Sequence, residues 1–252
     1  MNIGNLMQQA AQHLRFLLVC AVVIALIIFA AKMAEKKLLK DSLIKVNSTK
    51  YTAICGMLGA LATVLMLLEF PVPFLALPFY KLDFSELPVM VGGFFLGPVG
   101  AVLIELVKIL LKLLIKSTTT AFVGDFANFV IGCALVVPAS IVYHTHKTKN
   151  RARAGLLLGT VIMAVFGSMF NAVYLLPEFS VMYGCPLDQI VAMGTALNSN
   201  INSVTTLVLF SVFPLNIIKG GLVSVLTMLL YKRISIFFHT MLAGEKVRKA
   251  AR

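Results

Sequence analysis

Tryptophan is absent from this chain, acidic residues number only ten among 252, and none of the common catalytic signatures occurs. Without Trp, anchoring at a membrane–water boundary falls to Tyr and Phe. No Gly-x-x-x-x-Gly-Lys-Ser/Thr loop is present to cradle phosphates, and no paired acidic motif to hold Mg²⁺ for phosphotransfer. His-Glu-x-x-His and a serine in a Gly-x-Ser-x-Gly elbow are missing too. The chain therefore reads as a non-enzyme with no catalytic residue. The four cysteines, Cys20, Cys55, Cys133 and Cys185, stand alone, without the spacing of a metal site. Three fall in apolar segments and read as small packing residues. No internal repeat is visible, and the paired broken helices common in secondary transporters are lacking.

What is abundant is hydrocarbon. The chain is 60% hydrophobic and 13% charged with mean hydropathy +0.95, the balance of an integral membrane protein. The net charge of +12 does not point to nucleic acid, because sixteen of the 22 Lys and Arg lie in three blocks, residues 32–50, 144–153 and 232–252. By the positive-inside rule those blocks mark cytoplasmic segments.

Residues 14–31 form an apolar run nearly long enough to span. Its positive block follows it, the reverse of a signal peptide, so it reads as an uncleaved helix with its N-terminus outside and Arg15 reaching outward. A basic amphipathic linker leads to a second span, Tyr51 to Glu69, where Gly56-x-x-x-Ala60 and Ala53 make a flat ridge. The ridge suits close approach of a helix of this chain or of a partner. Pro71, Pro73 and Pro78 break the helix and introduce an aromatic loop. Gly97-Pro98 interrupts the next apolar stretch, and only two helices there keep all three basic blocks on one side. The first is short and must be tilted or shielded. Along the second, Glu105, Lys108, Lys112 and Lys116 recur at helical spacing, with Glu105 and Lys108 expected to pair inside and Lys112 and Lys116 to snorkel outward. Further spans are expected at Phe126–Tyr143, with a kink at Pro138, and at Ala154–Leu176, ending before Pro177. Two histidines, His144 and His146, read as bystanders in a solvated basic loop. A short helix is expected around Asp188–Leu197. A continuous helix from Val204 to Tyr231 would be about 45 Å long, so Pro214 is taken as the break before a last span, Pro214–Tyr231.

In this topology Asn128, Asn171, Asn216, Lys219 and the loop 77–88 reach one end of the bundle. Asn216 and Lys219 are three residues apart and share one helix face. An ionisable group at membrane depth costs roughly 2.5–3.5 kcal/mol and requires a partner, a wet cavity or a ligand. Polar groups converging in an apolar surround describe a small-molecule site.

Five strings now carry a resemblance: Leu-Asp-Phe-Ser-Glu-Leu-Pro (82–88), Gly-Pro-Val-Gly (97–100), Gly-Asp-Phe-Ala-Asn-Phe-Val-Ile-Gly (124–132), Phe-Asn-Ala-Val-Tyr-Leu-Leu-Pro (170–177) and Phe-Pro-Leu-Asn-Ile-Ile-Lys-Gly (213–220). In this order, over about residues 51–238, the chain resembles the riboflavin-specific S components of energy-coupling factor (ECF) transporters. The resemblance implies an all-α integral membrane protein: a six-helix S-component bundle (48–240) preceded by one extra N-terminal transmembrane helix and basic linker (1–47), and followed by a basic tail (241–252). It implies capture of riboflavin from outside by Asn171, Asn216 and Lys219, with Asn128, Asp83, Phe84 and Leu77 as further candidates. FMN is a second candidate cargo. Ala53, Gly56 and Ala60 resemble the face that docks the T component, which works with two ATPase subunits. Riboflavin would be cargo and not a cofactor, and ATP would be used by the partners. The expected location is the bacterial cell membrane, multi-pass, in contact with lipid, with basic loops and C-terminus cytoplasmic. The extra helix and the long loop 177–213 depart from the family pattern. Rival readings are an S component for another vitamin and a structural membrane protein whose polar residues only hold helices together.

Overall fold

The computed structural model describes residues 14–39, 43, 47–118, 120 and 122–250, and no side chain beyond Tyr231 enters the description. The Arg15 side chain, most of residues 40–46 and the side chains of the basic tail lie outside it.

Helix α1 (Leu14–Leu38) is longer than the apolar run, because Lys32 to Lys37 continue it without a breaker. One face, with Leu18, Val22, Leu26 and Phe29, is exposed, as suits a lipid-facing helix. The other lies on the bundle. At one end Phe16 meets Phe126 edge-on at 5.9 Å and stacks on Tyr174 at 6.4 Å. At the other, Glu35 Oε1 accepts from the Val99 backbone N–H at 2.9 Å.

Helix α2 (Ser48–Leu67) is followed by a loop pinned by a two-residue antiparallel ladder, β1 (Phe70–Pro71) and β2 (Lys81–Leu82). Next come α3 (Glu86–Leu96) and α4 (Pro98–Ile115). The expected break is there: Gly97 takes φ 96°, a region a side chain would resist, and Pro98 opens α4 where its missing N–H has no cost. Short α3 is almost wholly buried, shielded by its neighbours as expected. Helix α5 (Val123–His146) is helical through Pro138. His144 is not in a solvated loop; it is buried in the last turn of α5 with Nε2 3.0 Å from the Gly93 carbonyl.

Two proline expectations are corrected. Helix α6 (Lys149–Phe170) passes through a π turn, Asn171–Leu175, into α7 (Leu176–Tyr183). After α8 (Leu187–Leu197), helix α9 (Val204–Leu207) passes through a second π turn, Val208–Val212, into α10 (Phe213–Ala250). Neither Pro177 nor Pro214 ends a helix. In an α-helix a proline ring strikes the carbonyl four residues back. Here those residues, Val173 and Phe210, lie inside the π turns, where bonds reach five residues on: Leu176 N–H to Asn171 C=O and Phe213 N–H to Val208 C=O.

Five helices are long and apolar enough to cross a membrane among the described residues: Leu18–Leu38, Ser48–Leu67, Val123–His146, Lys149–Met182 and Val204–Tyr231. Helix α4 has 18 residues and carries Glu105, Lys108 and Lys112. Helices α5 and α6 approach until backbone meets backbone. A Cβ added at Gly155 would lie 2.6 Å from the Ala139 carbonyl oxygen, and one at Gly159 would lie 2.4 Å from that of Leu135. That glycine pair, at four-residue spacing, went unremarked in the sequence. The Gly56 ridge on α2 is the opposite case, exposed with nothing within 4 Å of an added Cβ.

Candidate functional site

A cavity of about 640 Å³ opens at the end of the bundle carrying the β1–β2 loop. Each expected polar residue reaches it: Asp83, Asn128, Asn171, Asn216 and Lys219 all line its wall. Leu77 and Phe84 do not. Leu77 is buried under the loop against Leu176, Ile190 and Leu207, and the Phe84 ring lies 6.0 Å from that of Phe70. Phe213, which opens the last of the five strings, is absent from the lining too. The apolar walls come instead from Met66, Ile131, Met163, Val212 and Leu215, with Phe79 and Phe179 in edge contact at 5.1 Å.

The two π turns bear on the wall from adjacent helices. Asn171 opens the first and is 2% exposed. Its Oδ1 accepts from the Tyr80 hydroxyl at 2.6 Å, and its Nδ2 donates to the Gly167 carbonyl at 2.7 Å. A carboxamide has two N–H donors and two acceptor lone pairs, so one of each remains for a ligand. Burial pushes the Tyr80 phenol well above its ordinary range, which keeps it a donor. Asn216, four residues past the second π turn, is buried, and its Nδ2 has no hydrogen-bond partner among the described residues. An unpaired buried amide of this kind costs about 1–3 kcal/mol. It sits against the Gly167 backbone, where an added Cβ would lie 2.8 Å from Nδ2.

Behind this wall lies a charge network. Lys219 Nζ donates to Asp83 Oδ2 at 3.0 Å and lies 3.3 Å from Glu86 Oε1. Lys108, fully buried, reaches the same Glu86 oxygen at 3.4 Å, Ser85 Oγ and Asn128 Oδ1 at 3.2 Å each, and Glu105 Oε1 more closely still. The pairing of Glu105 with Lys108 is as expected. Lys112 is a correction: it does not snorkel away but turns inward, pairs with Asp125 and lines the cavity. Asp125, buried on the next helix, supplies the counter-charge that an inward-facing lysine requires. Gly132 provides the room, since a Cβ there would stand 2.4 Å from Glu105 Oε1 and 3.1 Å from Glu86 Oε1. Sequence reasoning did not single out Tyr80, Glu86 or Lys112 as parts of the site. The helical stripe with Lys112, and the position of Glu86 three residues after Asp83, were the available signals.

At the rim, Glu69 accepts from Lys81 at 2.7 Å and from Lys116 at 2.9 Å, tying both ends of the loop to the end of α4. Burial alone would raise the Glu69 carboxyl, but the hydrogen bonds and charges of the two lysines outweigh it and hold the group below its ordinary 4.5. A depressed carboxyl stabilises the fold above its unfolded value, and that contribution is lost as pH falls through the lower, folded one. The clasp is therefore complete at pH 7 and fails only below pH 4.5. Amide exchange across residues 70–82 at pH 7 is expected to be faster in Glu69→Gln than in the wild type. Equal protection in the two would show that the clasp does not hold the loop.

Residues 50–231 match the family model of the ECF transporter substrate-specific component. The chain is 31% identical over 194 residues to the riboflavin transporter RibU of Staphylococcus aureus, covering 77% of this chain and 95% of that one. It is 30% identical over 187 residues to the riboflavin transporter FmnP of Bacillus subtilis, covering 73% and 92%. A solved structure, described as the S component of a bacterial ECF transporter, superposes with TM-score 0.59 at 31% identity, over 76% of this chain and 98% of that one.

Proposed function

Because the chain belongs to the substrate-specific components of ECF transporters, we propose that it captures riboflavin in the cavity at the loop end of its bundle and delivers it inward when docked to an energy-coupling module. It is a transport subunit and not an enzyme, and the flavin is its cargo. The observation that carries the reading is the convergence of Asn128, Asn171, Asn216 and Lys219 on one apolar-walled cavity of about 640 Å³. That volume lies within the roughly 300–1,000 Å³ usual for small-molecule sites.

The chemistry suits a flavin. The pyrimidine edge of the isoalloxazine offers two carbonyl acceptors flanking an N–H donor, and Asn171 retains one donor and one acceptor. Lys219 and Asn128 can donate to a carbonyl or a ribityl hydroxyl, and Met66, Ile131 and Met163 flank the flat rings. FMN is a second cargo by the same ring contacts.

In this reading the cavity faces outside and the loop 144–153 the cytoplasm, which the positive-inside rule supports through the three basic blocks. The partners are a T component and two ATPase subunits, and Ala53, Gly56 and Ala60 are the docking face. In support, all three are exposed on α2, and the Gly56 surface is flat enough to admit another helix closely.

Detergent-purified protein tests the cargo without any partner. Saturable quenching of added riboflavin fluorescence, reaching one flavin per chain, is the expected result. A folded protein that leaves the fluorescence unchanged would remove riboflavin and make another vitamin the cargo.

A further inference from the structure

The α4 lysine inside the charge network makes no contact with the cavity, yet it touches a residue that does. Lys108 is 0% exposed and does not line the wall, whereas Asn128 does. From Lys108 Nζ to Asn128 Oδ1 is 3.2 Å. An ammonium group carries donors only, so the atom of Asn128 that faces it has to be the amide oxygen. The opposite orientation would set an N–H against a buried cation with no lone pair between them. Nor can Lys108 swing away to allow it, because Glu105, Glu86 and Ser85 hold the same ammonium from other sides.

We infer that Lys108 is a positioning residue for the ligand site: it takes the oxygen edge of Asn128 and leaves the nitrogen edge facing the cavity. The inference rests on the reading of that cavity as the flavin site. Its consequence is chemical. Asn128 presents a donor to the cargo, beside the donor of Lys219, which shares Glu86 Oε1 with Lys108. The part of the cargo that meets this wall is therefore an acceptor, a carbonyl or ring nitrogen, while Asn171 keeps a lone pair for a donor of the cargo.

Asn128→Asp separates the two edges. The carboxylate is nearly isosteric and still accepts from Lys108, but it has no donor for the cavity. Riboflavin carries no net charge at neutral pH, so the added negative charge is not itself a repulsion. Riboflavin dissociation constants by fluorescence quenching are expected to rise at least tenfold for both Asn128→Ala and Asn128→Asp. A value for Asn128→Asp within threefold of wild type would overturn the inference, since the cargo would then be reading the oxygen edge.

The role of Lys108 itself is tested as Lys108→Met combined with Glu105→Met. Removing cation and carboxylate together leaves the net charge of the network unchanged, and such apolar replacements of buried pairs are often tolerated. Lys219 keeps Asp83 and Glu86 in this variant. With the melting temperature as control, this pair of changes is expected to weaken riboflavin binding about tenfold in the wild-type background and less than threefold in Asn128→Ala. Losses that multiply in full across the two backgrounds would show a purely structural contribution and overturn the inference. If the double variant does not fold, the Asn128→Asp comparison decides. A wild-type protein that fails to bind riboflavin at all would overturn the flavin reading, a distinct failure seen before any variant is made.

Discussion

Lys219→Met and Asn171→Ala are each expected to weaken riboflavin binding at least tenfold, about 1.4 kcal/mol or more. The two lose different things. Asn171→Ala removes an amide whose remaining donor and acceptor can meet a flavin edge together, and leaves the Tyr80 hydroxyl without its partner. Lys219→Met deletes a donor and strands Asp83 and Glu86, of which only Glu86 retains a second cation, Lys108. Breaking a buried pair from one side costs about 3–5 kcal/mol of stability, so the folded fraction of this variant has to be measured alongside its affinity. Lys219→Arg divides the effects. It keeps the charge between Asp83 and Glu86 but moves the donors onto a planar fork, so folding should survive and binding should still fall. Wild-type affinity in folded Lys219→Met and Asn171→Ala would remove both residues from the site.

An effect on folding without any loss of a ligand contact is expected from Gly159→Ala. The new methyl would stand 2.4 Å from the Leu135 carbonyl oxygen and 3.3 Å from the Ala139 Cβ. A backbone carbonyl in mid-helix has no rotamer to retreat into, so α5 and α6 have to separate. Overpacking of this kind costs about 1–3 kcal/mol. Thermal denaturation in detergent should show a clearly lowered midpoint for Gly159→Ala, whereas Gly56→Ala, with open space around it, should match the wild type. An unchanged midpoint for Gly159→Ala would mean that the two helices do not meet at this glycine.

These two glycines also show how far the sequence could be read. The same small-residue spacing occurs at Gly56/Ala60 and at Gly155/Gly159, and it tells which residues share a helix face but not which faces meet. Only the assembled bundle assigns one pair to an internal contact and leaves the other at the surface. The break at Gly97-Pro98, the Glu105–Lys108 pair and the convergence of three asparagines and a lysine were legible because each follows from local chemistry: a helix stop, a three-residue spacing, a polar group that hydrocarbon rejects. Lys112 was misjudged because its partner, Asp125, comes from the next helix, across a loop whose return path no periodicity specifies. Leu77 and Phe84 suit an apolar wall by their character alone. The two-residue ladder between Phe70–Pro71 and Lys81–Leu82 sets the course of the loop, which carries Leu77 into a separate apolar cluster. Pro177 and Pro214 were read as stops because proline is incompatible with an α turn, and a π turn relieves that incompatibility.

Each π turn holds one residue more than the α turn it replaces, so the two helices that present Asn171 and Asn216 tolerate point changes there more readily than changes of length. Deleting one residue from 172–175 would let the segment close as ordinary α-helix, in which four residues turn nearly as far as five do in the π turn, so the helix beyond keeps its face but the Pro177 ring again meets a carbonyl four residues back. Asn171 would stay at the wall and Phe179 on the side of the Phe79 ring it now meets at 5.1 Å, and the strain would fall on the proline between them. Among homologous chains, a one-residue gap at either place should thus go with the loss of the proline that follows it.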